Sequence, residues 1–292
     1  MAGNKISYSQ FSMYLKCPKQ WEQEYVLNKR VFSQSIHTIF GTSAHEVIQD
    51  WLDVCYNKTV KEADQMDLNE NLKQKMAMHY GDAVKQTGEH FSTAEEMHEF
   101  WLDGVAILDY LKRKRSVYFP TKHHELVGIE VELNLPLTKG IIFRGFIDLM
   151  IKDNRDGRIK IIDLKTSTRG WNKWQKNDKT KTAQLLLYKE FYARQLDVDV
   201  DLIDVEYIIL RRKISEDSEF PMKRIQLFSP ANGKPSRNKV GAQLQEFIDN
   251  SFDEEGNYNT ERKYVAIASS ACKYCKYADD ESVCPKKERI KK

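Results

Sequence analysis

An aspartate and a lysine two residues apart, Asp163 and Lys165, stand in RIKIIDLKT, a run otherwise dominated by aliphatic residues. In a strand, residues two apart face the same side. Ile161, Asp163 and Lys165 are therefore expected on one face, and Ile162 and Leu164 on the other. A second carboxylate, Asp148, interrupts IIFRGFIDLMI in the same way, and NRDG between the two runs is a turn signal. An antiparallel hairpin of suitable register would set the two carboxylates side by side. Such a pair repels; a bound divalent cation removes that cost while polarising a phosphate and activating a water. Alone, Asp-x-Lys is more commonly a surface ion pair at a strand end, so its company matters. Gln184 and Tyr188, four apart in TKTAQLLLYKEFYARQL, share a helical face. His45 lies at the edge of an apolar helical stripe as a potential metal ligand.

The cysteines form a second constellation. Cys272, Cys275 and Cys284 fall in CKYCKYADDESVCP, and Cys17, like Cys284, is followed by a proline. The N-terminal MAGNKISYSQ has no apolar run that could act as a signal peptide, so a reducing cytoplasm is expected. Thiols at that density then mean metal rather than disulfide. Four thiolates suit either a structural zinc or an iron-sulfur cluster, and spacing does not choose between them. Either would join the two ends of the sequence. The smaller alternative is a C-terminal zinc knuckle with Cys17 as an ordinary buried thiol. Cys55 continues the apolar stripe of its helix and reads as core.

These side chains need elements to hold them. SYSQFSMYLKCPKQWEQEY reads as one helix entered through a Ser7/Gln10 capping box, with Cys17 on it. Ala44, Val47, Ile48, Trp51, Leu52 and Cys55 mark a second helix. Ser43 and Glu46 read as its capping box, which makes Glu46 a cap rather than a ligand. Helical patterns follow at about Leu68 to Lys85 and Ala94 to Lys114. From Glu125 the period changes: ELVGIEVELNL, IIFRGFIDLMI and RIKIIDLKT predict an antiparallel meander, followed by a helix and the strand LIDVEYIILRR.

Of 292 residues, 30% are charged and the net charge is only +3. The balance is uneven: residues 41 to 111 carry 14 acidic against 5 basic side chains. The basic remainder, with clusters at Lys112 to Arg115, Arg169 to Lys181, Arg211 to Lys213 and the tail KKERIKK, is where a polyanion would bind. Within RGWNKWQKNDKTK, Trp171 and Trp174 alternate with Lys173, Lys176, Lys179 and Lys181. That mixture suits stacking bases while tracking a phosphate backbone, so one wall of a single-strand channel is expected there. The bland reading is that the tryptophans pin a surface loop to the core. No stretch approaches a membrane span.

Taken in order, these motifs resemble the RecB-like branch of the PD-(D/E)xK nucleases, and within it the iron-sulfur, CRISPR-associated exonucleases. SYSQFSMYLKCP is similar to the opening helix with its first cluster cysteine, GTSAHE to the histidine motif and GFIDLM to the first aspartate motif, with Ile147 where the superfamily name has proline. IIDLKTS supplies the D/E-x-K element, QLLLY the Q-x3-Y element and CKYCKYADDESVCP the closing cysteines. The resemblance implies an α/β fold with a restriction-endonuclease-like central mixed sheet flanked by helices and an N-terminal helical region. It implies Mg2+ or Mn2+ on His45, Asp148, Asp163 and the Leu164 carbonyl, and Lys165 acting on the attacking water and the phosphorane. Gln184 and Tyr188 would orient Lys165 or hold the DNA backbone. A 4Fe-4S cluster on Cys17, Cys272, Cys275 and Cys284 is implied over structural Zn2+.

The expected organisation is 1–37 for the N-terminal helix, 38–120 for the helical region with the histidine motif, 121–265 for the nuclease core and 266–292 for the cysteine segment with its basic tail. The expected activity is a metal-dependent DNA exonuclease of a prokaryotic or phage-infected cytoplasm, acting on single-stranded DNA or DNA ends in recombination, repair or processing. Without a helicase motif, unwinding would fall to a helicase or recombination partner. The alternative is a non-catalytic nucleic-acid-binding subunit of a recombination or spacer-acquisition complex.

Overall fold

The computed structural model describes residues 5–30, 34–215 and 222–291. Residues 1–4 and 31–33 of the expected N-terminal segment, and Lys292 of the basic tail, lie outside the described residues. Strand β1 (Lys5–Ile6) leads into α1 (Tyr8–Lys16), capped by the Ser7 hydroxyl accepting from Gln10 N–H. The single long helix expected here is broken. A residue before proline is pushed out of the α region, and Cys17, before Pro18, is extended at φ −159° and ψ 105°. It therefore stands in a joint rather than on a helix, with Pro18 opening α2 (Pro18–Trp21) at the position where proline is tolerated.

Helix α3 (Ile36–Asn57) starts earlier than its apolar stripe suggested, with Ser35 as its cap. Ser43 is instead mid-helix, its hydroxyl turned back to the Ile39 carbonyl at 2.8 Å. The Ser43/Glu46 capping box is therefore corrected: Glu46 is no cap. Its carboxylate accepts from Lys75 at 3.0 Å and meets His79 at 2.9 Å. Short α4 (Val60–Gln65) precedes α5 (Leu68–Thr87), which carries Lys75 and His79; α6 (Ala94–Arg113) completes the acidic region, and one-turn α7 (Arg115–Tyr118) follows it.

The meander follows as β2 (His124–Pro136), β3 (Ile142–Asp153) and β4 (Ile159–Ser167), antiparallel throughout. After α8 (Lys173–Asn177) and α9 (Lys179–Leu196), β5 (Ile203–Arg211) joins β4 in parallel, and β6 (Ile225–Phe228) forms the far edge. Helix α10 (Lys234–Ser251) packs beside α9, and a two-stranded ribbon, β7 (Ile267–Ala268) with β8 (Ile290–Lys291), frames the cysteine segment.

The sheet sits between two apolar layers, because successive strand residues point to opposite faces. Ile161 and Ile209 face α1, α9 and α10, while Ile162, Leu164, Ile208 and Leu210 face α3 to α6. Strand β3 has three partners. β2 runs along one edge; the other edge is shared by β1 at Ile142–Phe143 and β4 at Leu149–Lys152. Between those two contacts the sheet opens, and Asp148 stands at the opening.

Candidate active site

The β3–β4 ladder ends at Leu149 opposite Ile162. The next residue on each strand, Asp148 and Asp163, therefore falls where the strands part. Asp148 Oδ2 takes the Leu164 N–H that the ladder leaves free, at 2.7 Å. In a strand the N–H and C=O of one residue point to the same edge, so the Leu164 carbonyl opens toward the same gap. Lys165, beyond Asp163 on the same face, reaches back to Asp163 Oδ2 at 2.7 Å. The contact is ionic but poorly angled: among the described residues neither Asp163 carboxylate oxygen has a well-aligned hydrogen-bond donor, although both are fully buried.

His45 enters from the opposite layer. Gly41, one turn before it on α3, brings the helix close to β4: a Cβ there would lie 3.3 Å from Thr166 Oγ1. His45 Nδ1 then stands 3.7 Å from Asp148 Oδ2. From the other side, Gln184 donates to the Tyr188 hydroxyl at 3.2 Å. Tyr188 packs over Gly145, where a Cβ would come within 3.0 Å of the ring. Its hydroxyl lies near enough to Lys165 and both aspartates to feel their charges.

Burial sets the protonation pattern. It pushes both Asp148 and Asp163 up to about 6, against the attraction of Lys165. It lowers His45 to about 4, helped by the Lys165 charge, so the imidazole is neutral over the physiological range. Lys165 itself is held above its usual value, because the two carboxylates outweigh its burial. Burial also pushes Tyr188 up to about 12. The site thus combines a neutral imidazole, two anion-forming carboxyls and a fixed ammonium.

A model of the PD-(D/E)XK nuclease superfamily matches residues 5–285. The chain belongs to that superfamily. Among solved structures, a protein of Eubacterium rectale provisionally named an exonuclease is similar at 11% identity over 84% of this chain and 79% of its own, with a TM-score of 0.49. The sequence matches no curated protein.

One residue of the candidate site escaped the sequence reading. Glu130 lies on β2 opposite Asp148, with φ 48° in the left-handed region that a non-glycine residue rarely enters. Gln49, one turn after His45 on α3, donates to Glu130 Oε1 at 2.6 Å and to the Asp148 carbonyl at 3.1 Å. Glu130 is near enough to act electrostatically on both His45 and Asp148.

The basic segment is split. On α9, Lys181, Gln184 and Tyr188 follow i, i+3, i+7 spacing, and the first two line a cleft that reaches Lys165. Lys179, Thr182 and Leu186 follow the same spacing one face over, and with Lys176 they line a pocket against α10. The expectation of a single lysine wall is corrected accordingly. Trp171 is also corrected as a base-stacking residue: it is only 8% exposed, packed on Tyr207 at 4.9 Å and Phe228 at 6.1 Å. Trp174, on α8 with Lys173, is 83% exposed.

The cysteines converge. Cys17 Sγ receives the Ile267 N–H at 3.5 Å, and Cys272 Sγ donates to the Ile267 carbonyl at 3.7 Å. The Cys275 thiol is pushed up first by burial and then by the charges of Cys17, Cys272 and Cys284. The two ends are also tied by Tyr277, whose hydroxyl donates to the Lys29 carbonyl at 3.0 Å. Among the described residues, no three His, Cys, Asp or Glu side chains are drawn together closely enough to enclose a metal ion. Cys55 is buried in the core as expected. None of the described helices is long and apolar enough to cross a membrane.

Proposed function

We propose that this nuclease is a divalent-metal-dependent DNA exonuclease of the RecB-like branch, acting on single-stranded DNA or DNA ends. The observation that carries the reading is Asp163: a buried carboxylate with both oxygens short of aligned donors is costly unless a cation completes it. His45, Asp148, Asp163 and the Leu164 carbonyl would hold Mg2+ or Mn2+, a set of oxygen donors and one neutral imidazole that suits such ions. Bound there, the ion would supply Lewis acidity toward the phosphate and lower the pKa of a water.

The chain's own residues supply the rest. Lys165 positions the attacking water and stabilises charge building on the phosphate oxygens, with Asp163 fixing its ammonium. Tyr188 and Gln184 orient Lys165 and the DNA backbone from α9. Exposed Trp174 and Lys173 on α8 offer a base-stacking face and a phosphate contact. A binding subunit without catalysis would gain nothing from burying two adjacent carboxylates, Asp148 and Asp163, with a single ammonium between them, which disfavours the alternative function.

Cys17, Cys272, Cys275 and Cys284 are free thiols from both ends of the sequence, and soft donors of this kind would suit a 4Fe-4S cluster or zinc. We favour the cluster, in a structural role. Colour and iron content of anaerobically purified protein decide between them: colourless protein with zinc refutes the cluster. Digestion of 5′- and 3′-labelled single-stranded and duplex DNA with Mg2+ or Mn2+, wild type against Asp163→Ala, tests the activity. Metal-dependent cleavage absent from the variant supports it and gives the polarity. No cleavage on any substrate by intact wild type refutes it.

A further inference from the structure

We propose that the cleft between α1 and α9 seats one DNA single strand immediately beside the scissile bond, with Lys16 and Lys181 binding its neighbouring phosphate. The inference rests on the nuclease reading above and assigns a substrate path to it. The cleft encloses about 440 Å3 and runs from Lys165 to the outer turn of α1. That is the scale of a small-molecule pocket, matching a single nucleotide rather than a duplex.

Its walls are built, not incidental. The Tyr8 and Ser12 hydroxyls of α1 both donate to the Thr180 carbonyl, at 2.6 and 3.1 Å, fixing α1 against the first turn of α9. The Lys181 carbonyl in turn accepts from Tyr207 at 2.7 Å, which anchors that turn to the sheet. The reason α1 stands here is topological: β1 takes the edge of β3 that β4 leaves, and α1 begins two residues after it.

Three ammonium groups converge on this space. Lys165 forms its ion contact with Asp163. Lys16 and Lys181 make no ion pair among the described residues, and both line the cleft. The Lys181 ammonium lies over the Trp171 ring at 5.3 Å, a cation–π contact, and has no carboxylate at ion-pair distance among the described residues. Burial and the Lys16 and Lys165 charges all disfavour its charged form, with only Asp178 opposing them. A phosphate between Lys16 and Lys181 would relieve that repulsion. Met13 gives the same cleft an apolar flank for a base. The lysines on the α10 side of α9 face away from it.

The test is the binding of a fluorescein-labelled single-stranded oligothymidylate to the full-length protein in EDTA, followed by anisotropy over a salt series. Each phosphate contact on a single strand contributes a slope of about −0.7 in log K against log salt. Lys16→Ala/Lys181→Ala is expected to flatten the slope by about 0.7, the share of the one phosphate the two lysines hold, and to weaken binding at low salt at least tenfold. Lys16→Arg/Lys181→Arg should restore both, and circular dichroism should be unchanged. An unchanged slope and affinity would overturn the proposal. So would a loss confined to Lys176→Ala/Lys179→Ala, which would move the strand to the α10 side. If the double alanine variant flattens the slope but wild type cleaves no DNA with Mg2+ or Mn2+, the cleft stands and the nuclease reading falls.

Discussion

Removing the Asp163 charge is expected to change how the metal-free protein responds to pH, and in a direction that ordinary surface aspartates do not show. Burial raises Asp163 from its usual 3.8 to about 6. A carboxyl with a raised folded-state pKa holds its proton more tightly when folded. Its stabilisation is therefore complete below about 3.8 and disappears as pH rises through about 6. At 1.36 kcal/mol per pKa unit the displacement is worth up to about 3 kcal/mol. The assay is urea unfolding in EDTA across this range, wild type against Asp163→Asn, reading the difference between the two stabilities. His45, lowered to about 4, loses its own contribution as pH falls from its usual 6.5, but it is present in both proteins and largely cancels. Lys165, held above its usual value, stays charged throughout and adds no slope. Wild type should lose 1 to 3 kcal/mol, as an order of magnitude, relative to the variant between pH 4 and pH 7. Adding Mg2+ or Mn2+ at pH 7 should raise the wild-type midpoint and leave Asp163→Asn nearly unmoved. Parallel pH curves would show that Asp163 titrates as an exposed carboxylate, and the account of a charge-strained, metal-completed site would be wrong.

The two tryptophans of the basic segment should separate cleanly. Trp171→Ala is expected to destabilise by about 3 to 5 kcal/mol in chemical denaturation, because the ring is buried on Tyr207 and Phe228. Trp174→Ala should leave stability within about 0.5 kcal/mol and weaken single-strand binding. Gly145→Ala should lower the cleavage rate at least tenfold while the melting temperature falls only modestly, since the new methyl displaces the Tyr188 ring. Cys17→Ser should lower the midpoint of thermal unfolding. By analogy with a disulfide, a cross-link over so much of the sequence is worth roughly 5 kcal/mol. The variant should nevertheless fold, because Trp21 independently packs against Phe247, Phe252, Tyr258 and Tyr264 from the C-terminal part.

The elements that hold the chemistry were readable because their periodicity is strong. The β3–β4 hairpin, its turn, α5, α6 and α9 all fall where alternation or helical spacing puts them, and face parity placed Asp163 beside Lys165 correctly. What was not readable depends on neighbours distant in sequence. Helix α3 begins at Ile36 because Ser35 caps it and its first turns pack on α6, His37 and Phe40 meeting Phe100, whereas the capping-box pattern at Ser43 offered an equally plausible local start. Glu46 faces Lys75 and His79, partners supplied by another helix. Nothing in ELVGIEVELNL distinguishes Glu130 from Glu132; only the left-handed backbone and the Gln49 amide bring the former to the site. Two tryptophans of the same composition-based patch have opposite fates, since exposure is decided by Tyr207 and Phe228.

The position of the site follows from the partition of one strand edge. If β4 paired with β3 along its whole length, Leu164 N–H would go to a backbone carbonyl and the two aspartates would be covered by a continuous ladder. Ending the ladder at Leu149 costs backbone hydrogen bonds and leaves carboxylates in a buried gap. The Asp148 side chain restores one of those bonds by taking Leu164 N–H, but the buried Asp163 carboxylate is left with the Lys165 ammonium and no well-aligned hydrogen-bond donor among the described residues. That residual cost gives a cation bound there a preference for the folded state. Any ion that completes Asp163 adds RT ln(1 + [M]/Kd) to stability, so metal affinity and the pH slope of the metal-free protein are two measurements of the same buried charge. A variant that flattens one without weakening the other would break that link.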